Sequence, residues 1–302
     1  MSKVTILDGS LVSEKLLQDD LKLLTNVYNS LGSIRRPKLV VITIGNDDAS
    51  KVYIRNKQSL CEKCNITFLH LEYNNNASRE EIEQIIERLN EDSQVDGILI
   101  QQPFPDHLKG VEQKVVYYKD VDGFTCRNIA NTLLSDNNIN NLYACTPWGI
   151  LRLLDYYNID LTGKNVVILG RSNIVGKPLI GLLLQRNATV ISCNSYTKNI
   201  NELIEKADVL ISAIGNPKFI KAKDITPRTQ IIIDVGINRD TEGKLCGDVD
   251  YKDIVQYWNN VNDNIERYIT PVPKGIGPMT VESLIHNIII AYKNNLGDMN
   301  HG

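Results

Sequence analysis

Short apolar runs alternate with helical patterns in the first half of the chain. Three runs, at residues 38–45, 66–73 and 96–102, have the length and composition of strands, and the first of them is typical of a buried strand. A helical pattern follows Ser50, and another follows Ser78, where the letters SREE predict a capping box. Strands that alternate with helices are typical of βαβ units, so this half predicts a largely parallel sheet.

A second series of the same kind follows the polar stretch 135–141, which we interpret as a loop near a domain boundary. Thr146 and Pro147 predict the N-cap and first turn of a helix. Four strand-like runs come after it, at residues 165–170, 188–193, 208–215 and 230–236. The pattern predicts an α/β fold with two domains.

The last helical pattern, residues 280–295, is apolar on nearly all sides. Such a helix must be buried. It follows the second domain, and from the pattern alone it can pack there or return to the first domain.

Composition and charge narrow the class of protein. The chain has 302 residues, 42% of them hydrophobic, and a formal net charge of −3. It has no basic region of the kind that binds nucleic acid, no run of 18 apolar residues that would span a membrane, and no secretory signal in its first residues. We therefore expect a cytoplasmic protein that binds neither nucleic acid nor a membrane.

The six cysteines predict neither a disulfide framework nor a metal site. A chain of this size needs no disulfides to fold. Cys61 and Cys64 form a C-x-x-C pair, but no second pair follows and both fall in a helical pattern. A structural zinc site needs four ligands, and the four histidines show no ligand spacing. We interpret the pair as ordinary helix residues and expect no metal.

The segment 165–179 has the order strand, turn and helix that binds a dinucleotide. Gly170 ends the apolar run and Gly176 opens the helix, where backbone N–H groups and the helix dipole favour a phosphate. Ser172 stands at the middle glycine of G-x-G-x-x-G, and Arg171 occupies the turn. A tight turn without a ligand therefore remains an alternative.

The residues of the next strand and of the turn after it indicate which dinucleotide would bind. A site for NAD usually places a carboxylate there, on the ribose 2′-hydroxyl. Residues 191–199 contain none, and offer Ser195, Thr197 and Lys198 instead. An arginine binds phosphate oxygens through a planar fork. Arg171 and these side chains therefore predict NADP.

Polar residues in the first domain suggest a second site. Tyr53 and Lys57 lie four apart and share a helix face. Gln101 ends a strand, where open α/β sheets bind ligands, and Asp120 and Asp122 precede a glycine. Two of these features have a plainer alternative. Tyr53 and Lys57 could be a half-buried tyrosine beside a solvated lysine, and the aspartates could belong to a simple Asp-Gly turn.

In their order along the chain, several segments resemble those of the bifunctional methylenetetrahydrofolate dehydrogenase/methenyltetrahydrofolate cyclohydrolase family. They are SKVYIRNK, GILIQQPFP, KDVDGF, TPWGI, GRSNIVGKP, DVGIN, GDVD and TPVPKGIGPMT. The resemblance implies a homodimer that uses NADP to oxidise 5,10-methylenetetrahydrofolate. The product is then hydrolysed to 10-formyltetrahydrofolate, in one-carbon metabolism and purine biosynthesis.

The resemblance also implies a domain plan. Residues 1–143 and 279–302 would form the folate-binding catalytic domain. Residues 144–278 would form an NADP-binding domain with a Rossmann-type parallel sheet. The folate cleft would lie between the two domains, and the C-terminal helix would return to the first.

Roles for single residues follow from the same resemblance. Lys57 would be the central catalytic residue, Tyr53 would stack on the folate, Gln101 would hydrogen-bond to the lysine, and Asp122 would hold the pterin. The implied substrate contacts are Tyr53, Ile54, Arg55, Asn56, Lys57, Ile100, Gln101, Gln102, Asp122, Val272, Pro273, Lys274, Gly275 and Ile276. The implied NADP contacts are Gly170, Arg171, Ser172, Ser195 and Ile237.

Four features depart from the family pattern. Lys274 replaces a common glycine, so it would be strained if that position needs a positive φ. Its side chain could meet the folate's glutamate tail or point to solvent. Gln102 replaces a leucine and Asn194 a histidine, and the segment 255–269 is longer than usual.

Three other functions fit parts of the sequence. A dehydrogenase without efficient cyclohydrolase activity, and possibly NAD-linked, would keep the fold. A cofactor-binding regulatory protein would have lost catalysis. A shikimate-dehydrogenase-like enzyme would share the two-domain plan but would usually carry a G-x-G-x-x-G-type loop, which is absent here.

Overall fold

The structure is a computed structural model that describes residues 4–32, 35–45, 48–134 and 140–299, without the side chains of residues 31, 48–53 and 297–299. The chain forms two compact units. One combines the N-terminal residues up to Lys15 with Thr146–Thr280, and we call it the six-strand unit after its sheet. The other combines Leu16–Cys145 with the residues from Val281 onward, and we call it the three-strand unit.

The helices and strands alternate along most of the chain. Up to Tyr156 they are β1 (Val4–Ile6), α1 (Gly9–Leu31), β2 (Lys38–Ile44), α2 (Asp48–Lys63), β3 (Thr67–Tyr73), α3 (Arg79–Glu91), β4 (Gly97–Ile100), α4 (Cys126–Leu134) and α5 (Cys145–Tyr156). They continue with β5 (Asn165–Leu169), α6 (Gly176–Gln185), β6 (Thr189–Cys193), α7 (Ile200–Glu205), β7 (Val209–Ser212), β8 (Ile231–Asp234), β9 (Asn238–Arg239), β10 (Leu245–Cys246), α8 (Tyr251–Asn260), β11 (Arg267–Ile269) and α9 (Ile276–Met299).

The three-strand unit is built on a parallel sheet of order β3-β2-β4. The central strand β2 is buried on both faces, as its unbroken apolar run predicted. One face, with Val40 and Ile42, packs against α3 through Ile82 and Ile86. The other face packs against α9 through a cluster that contains Leu39, Val41, Leu99, Ile285, Ile288, Ile289 and Tyr292. The C-terminal helix therefore completes the core of this unit.

Polar contacts tie α9 to the same sheet. The Tyr292 hydroxyl donates to the carbonyl of Arg35 at 2.7 Å, and the guanidinium of Arg35 lies over the tyrosine ring. Arg35 in turn donates through both terminal nitrogens to the buried carboxylate of Asp96, at 2.6 and 2.7 Å. Because the Asp96 carboxylate is paired and hydrogen-bonded in this way, it can be buried while it carries its charge.

The six-strand unit contains a parallel sheet of order β1-β11-β8-β7-β5-β6. Strand β1 belongs to it, because Val4–Ile6 pairs with Arg267–Ile269. The predicted assignment of the N-terminal segment to the first domain is therefore wrong for the residues up to Lys15. Strand β1 joins the six-strand unit because it pairs at the edge of that sheet, although the residues that follow it in sequence belong to the three-strand unit.

The long segment 255–269 has a structural role that the sequence did not reveal. It completes α8 and supplies β11, an interior strand between β1 and β8. Arg267 is fully buried on this strand and donates to both carboxylate oxygens of Asp263, at 2.8 and 2.7 Å. This pairing lowers the pKa of Asp263 to about 2.

Helix starts were predicted less well than strands. The Ser78 hydroxyl accepts from the Glu81 N–H at 3.1 Å, so this cap is confirmed. The helix start expected after Ser50 and the cap predicted at Thr146 are wrong, because α2 begins at Asp48 and α5 at Cys145. The Thr146 hydroxyl instead bonds to that of Thr280 at 3.1 Å. Within the described ranges, no helix has the length and apolar character that crossing a membrane requires.

Candidate functional site

Lys57 and Gln101 meet at the carboxyl end of the three-strand sheet. Lys57 lies in α2, and Gln101 directly follows β4, whose pairing with β2 it extends through an N–H bond to the Ile42 carbonyl. The Lys57 ammonium donates to Gln101 Oε1 at 2.8 Å. Gln101 Nε2 donates to the Gln102 carbonyl at 2.8 Å, so its oxygen is held toward the lysine. The amide therefore orients the lysine.

The turn after Lys119 places a carboxyl group beside this pair. Asp120 is buried and accepts from the N–H groups of Gly123 and Thr125 at 3.0 and 2.7 Å, and from Asn128 Nδ2 at 2.9 Å. Gly123 has a φ of +73°, and a Cβ there would overlap the backbone of Tyr143. The Asp-Gly turn is thus present, and it also holds Asp122.

Asp122 has an unusual environment for a carboxyl group. Burial raises its pKa to about 6, the Lys57 ammonium opposes that rise, and the charge of Asp120 adds to it. The group thus ionises near neutral pH, in the range where an acid or base is useful to an enzyme.

Asn287 of α9 also supports this corner, and the sequence analysis missed it. Its side chain is fully buried and donates to the carbonyls of Val121 and Tyr143, both at 2.8 Å. It thereby holds the residue before Asp122. A polar residue inside the apolar run IHNIII was the available signal.

The other predicted substrate residues in this unit differ in exposure. Tyr53 lies one turn before Lys57 in α2, and its side chain is outside the described part of the structure. Arg55, Asn56 and Gln102 are exposed. Two isoleucines are buried instead, namely Ile54, and Ile100 in the core behind β4. Their side chains present little surface to a ligand.

The predicted segment 271–276 belongs to the six-strand unit, where it leads into α9. Val272 is half-buried, Pro273 is exposed, and Gly275 and Ile276 are buried. Lys274 has a φ of +79° and an exposed side chain, so the strain expected at this position is confirmed. Its carbonyl accepts from the Ser10 N–H at 3.2 Å.

The predicted dinucleotide loop lies at the carboxyl end of β5. Gly170 has a φ of +110°, and a Cβ there would overlap the Ala213 carbonyl oxygen. A Cβ at Gly176 would overlap the carbonyl oxygen of Gly170. Both positions thus require glycine, the second because the helix packs closely on the turn. The Ser172 hydroxyl accepts from the Val175 N–H at 3.2 Å and closes the loop without a middle glycine.

The neighbouring turn, at the carboxyl end of β6, carries the predicted phosphate contacts. Arg171, Ser195 and Lys198 are exposed. The Thr197 hydroxyl accepts from the Asn194 N–H at 2.9 Å, so it holds the turn itself. Ile237, after β8, is 55% exposed. A glycine-lined cradle beside an arginine, with no carboxylate in residues 191–199, fits a dinucleotide that bears a 2′-phosphate.

Asp248 holds the loops beside this cradle in place, and the sequence analysis assigned it no role. Its buried carboxylate accepts from the N–H groups of Ile214 and Asn216, at 2.8 and 2.9 Å. It also accepts from the Ser212 hydroxyl at 3.0 Å and from Asn238 Nδ2 at 2.9 Å. These bonds join the end of β7 to the start of β9. The motifs GDVD and DVGIN were the signal, although only Ile237 within them was assigned a role.

The cysteine pair has no redox or metal geometry. Cys61 and Cys64 are free thiols buried in the core of the three-strand unit. Burial raises the pKa of Cys61 to about 12 and that of Cys64 to about 11. Thiols of this kind are unreactive. In the part of the chain that the structure describes, no three His, Cys, Asp or Glu residues are grouped as metal ligands.

Two family models match the chain. The model described as "Tetrahydrofolate dehydrogenase/cyclohydrolase, catalytic domain" matches residues 7–122. The model described as "Tetrahydrofolate dehydrogenase/cyclohydrolase, NAD(P)-binding domain" matches residues 144–296. Together the two matches cover most of the chain, and the match to the NAD(P)-binding domain contains the cradle at Gly170.

Individual relatives agree with these models. The chain is 45% identical over 259 residues to the "Bifunctional protein FolD" of Bacillus cytotoxicus, a match that covers 85% of this chain and 86% of that protein. A crystal structure of the bifunctional FolD dehydrogenase/cyclohydrolase from Campylobacter jejuni is 36% identical, with a TM-score of 0.87 and coverage of 96% and 99%. The Trypanosoma brucei enzyme, solved with NADP and an inhibitor, is 28% identical, with a TM-score of 0.85 and coverage of 97% and 99%.

Proposed function

The chain belongs to the tetrahydrofolate dehydrogenase/cyclohydrolase family, and on this basis we propose that Lys57, Gln101 and Asp122 carry its chemistry. The protein is an NADP-dependent methylenetetrahydrofolate dehydrogenase and a methenyltetrahydrofolate cyclohydrolase. It oxidises 5,10-methylenetetrahydrofolate to the 5,10-methenyl compound and hydrolyses that product to 10-formyltetrahydrofolate. The observation that carries the proposal is the bond of 2.8 Å from the Lys57 ammonium to Gln101, beside a carboxyl group that ionises near pH 6.

The oxidation depends mainly on positioning, because reactants held in near-attack geometry avoid a large entropic cost. Gly170 and Gly176 leave room for the cofactor's phosphates, and Arg171 and Ser195 are the residues that would hold its 2′-phosphate. NADP, when bound, supplies the hydride acceptor. On the folate side, Lys57 and Asp122 would orient the substrate, and Gln101 holds the lysine ammonium in place.

The hydrolysis requires proton transfer at neutral pH. Water adds to the methenyl carbon and loses one proton, which gives a neutral carbinolamine. The bond from that carbon to N5 then breaks, as the hydroxyl proton is lost to form the formyl C=O and N5 takes up a proton. We assign the proton transfer to Lys57, whose three hydrogens can rotate while Gln101 accepts one of them. Asp122 would accept hydrogen bonds from the pterin when ionised, and its partial burial would strengthen them. Tyr53 shares the helix face of Lys57 and would stack on the folate ring.

The two predicted activities can be tested in one assay. The purified protein is mixed with methylenetetrahydrofolate and either NADP or NAD, and absorbance reports both the reduced cofactor and the methenyl product. We expect rapid reduction of NADP and no accumulation of the methenyl compound, because it is hydrolysed. Accumulation of that compound would remove the cyclohydrolase assignment, and an inert protein would remove both activities.

We also propose that the protein is a homodimer, as the family resemblance implies. Sedimentation equilibrium should give twice the mass of one chain. A single-chain mass at micromolar concentration would contradict this proposal without affecting the assignment of the chemistry.

The cytoplasm is the location that we propose. All six cysteines are free thiols in the structure, which suits a reducing compartment. Fractionation of cells that express the protein should recover it with cytoplasmic markers, and recovery with membranes or in the medium would contradict the proposal.

A further inference from the structure

Tyr196 is an exposed aromatic residue in the turn that follows β6. Its side chain is 82% exposed. A single exposed hydrophobic residue needs no explanation by itself, but this one directly follows Ser195 at the sheet edge where the cofactor's adenosine half is expected. In open α/β sheets, ligands bind outside the carboxyl ends of the strands.

The backbone that carries the ring is held firmly. The Tyr196 N–H donates to Asn194 Oδ1 at 3.0 Å, and the Thr197 N–H donates to the Asn194 carbonyl at 2.9 Å. The Asn194 N–H donates to the Thr197 hydroxyl at 2.9 Å. Three bonds within four residues thus fix a turn whose central ring has little packing of its own. A fixed presentation lowers the entropic cost of binding a ligand.

Arg171 faces this ring from the dinucleotide loop. The central carbon of its guanidinium lies 6.0 Å from the centre of the Tyr196 ring. The two turns are joined at their base, where the Gly170 N–H donates to the Cys193 carbonyl at 2.9 Å. Stacked carbon atoms are about 3.5 Å apart, so a flat ring between the two groups needs about 7 Å. Opening the exposed arginine by about 1 Å would admit one aromatic ring.

We propose that Tyr196 is the adenine-stacking residue of the cofactor site, with the guanidinium of Arg171 on the opposite face of the base. This inference rests on the proposed function, in which NADP is the cofactor. A guanidinium can stack on an aromatic ring through its face while its edge binds phosphate oxygens. Arg171 thus binds the 2′-phosphate and covers the adenine, whereas Tyr196 contacts only the adenine.

This division of roles separates the two side chains experimentally. Binding to the purified full-length protein is measured by calorimetry with 2′-phospho-ADP-ribose and with ADP-ribose, so the readout does not depend on catalysis. Both ligands contain adenine, and only the first contains the 2′-phosphate. Stacking on an aromatic ring contributes about 1–3 kcal/mol per base, which is roughly 5- to 150-fold in affinity. Tyr196→Ala should therefore lower the affinity for both ligands by the same factor, about tenfold.

Two matched variants complete the test. Tyr196→Phe keeps the ring and should bind both ligands within about twofold of the wild type. Arg171→Ala should weaken 2′-phospho-ADP-ribose far more than ADP-ribose. Because Tyr196 is exposed, its replacement should leave the midpoint of urea unfolding unchanged.

Three results would overturn the assignment of Tyr196. In the first, Tyr196→Ala binds both ligands with unchanged affinity. In the second, Tyr196→Ala loses affinity only for the 2′-phosphorylated ligand. In the third, Tyr196→Phe loses as much affinity as Tyr196→Ala. The second and third would indicate that the hydroxyl, rather than the ring, makes the contact. A wild-type protein that binds neither ligand would instead overturn the cofactor site itself, and with it the proposed function.

Discussion

The proposed catalytic corner of the three-strand unit, formed by Lys57, Gln101 and Asp122, and the predicted dinucleotide cradle of the six-strand unit, formed around Gly170 and Gly176, are built in opposite ways. At the corner, side chains act on side chains: Gln101 holds Lys57, and the charge of the lysine lowers the pKa of the half-buried Asp122 carboxyl against the effect of burial. At the cradle, the backbone is fixed by glycines that leave no room for a Cβ. The predicted binding side chains around it, Arg171 among them, are exposed.

This difference predicts how each region responds to change. The corner depends on protonation and charge, because ionisable groups interact there at partial burial. The cradle depends on shape, because its proposed function is to let phosphates approach backbone N–H groups. Substitutions that alter charge should therefore act mainly on the corner, and substitutions that alter side-chain volume mainly on the cradle.

The largest effect is expected when the ammonium of the corner is removed. Lys57→Met should lower the cyclohydrolase rate by at least about 100-fold, the usual range for loss of a positioned proton-transfer group. Dehydrogenase activity should remain measurable, because it depends on positioning. Lys63→Met, an exposed lysine at the end of the same helix, is the matched control. Ring opening at a near wild-type rate in Lys57→Met would contradict the role of the lysine.

The next effect concerns the pH dependence of stability. The pKa of Asp122 is raised to about 6 from an ordinary value of 3.8, so the folded state binds more protons than the unfolded state between those values. The free energy of unfolding should therefore fall as the pH rises from about 4 to about 6, by up to about 3 kcal/mol. This contribution should be absent from Asp122→Asn in urea unfolding.

The exposed carboxyl of Asp106 provides the control for that measurement. Asp106→Asn makes the same chemical change on the surface and should preserve the wild-type pH dependence. If wild type and Asp122→Asn show parallel curves between pH 4 and pH 6, burial does not govern the ionisation of Asp122.

A smaller effect on stability is expected from adding volume to the cradle. Gly176→Ala places a methyl group against the Gly170 carbonyl, and overpacking of this kind costs about 1–3 kcal/mol. NADP affinity should fall as well, since the turn must move. Gly277→Ala, whose Cβ meets no atom within 4 Å, is the control. Equal stability and affinity of the two variants would show that the cradle tolerates a side chain.

The smallest effect is expected at the buried thiols of the three-strand unit. Cys61 and Cys64 should react with a disulfide reagent only after unfolding, because burial keeps them protonated and covered. Cys126 is the exposed cysteine, and the native protein should show one fast thiol. Fast reaction of a second thiol, traced to Cys61 or Cys64 by mass spectrometry, would revive a redox role for the pair.

Much of the fold followed from the spacing of apolar residues. The runs that predicted β2 to β8 contain those strands, because buried parallel strands are short and continuously apolar. The strands β1 and β11 were not predicted. Each has three residues, one of which on β11 is the buried Arg267, and so neither shows a strand pattern. Residues 9–31 likewise drew no assignment, although they form α1.

The candidate site divides in the same way. Lys57, Gln101, Asp122 and the loop at Gly170 were identified because each belongs to a short segment whose neighbours have recognisable roles. Asn287 and Asp248 were not, since they act on the backbone of segments far away in sequence. The meeting of Arg171 with Tyr196 was also hidden, because it depends on the pairing of β5 with β6.

By itself, the sequence determined the order of strands β2 to β8, the residue types at the two sites and the need for glycine at the cradle. These are properties of short segments, set by side-chain period, backbone freedom and charge. The tertiary structure decided which carboxyl groups are buried, which sheet receives the N-terminal strand, and which core the last helix completes. Burial and pairing depend on contacts between distant segments, and free energies of desolvation exist only once those contacts are made.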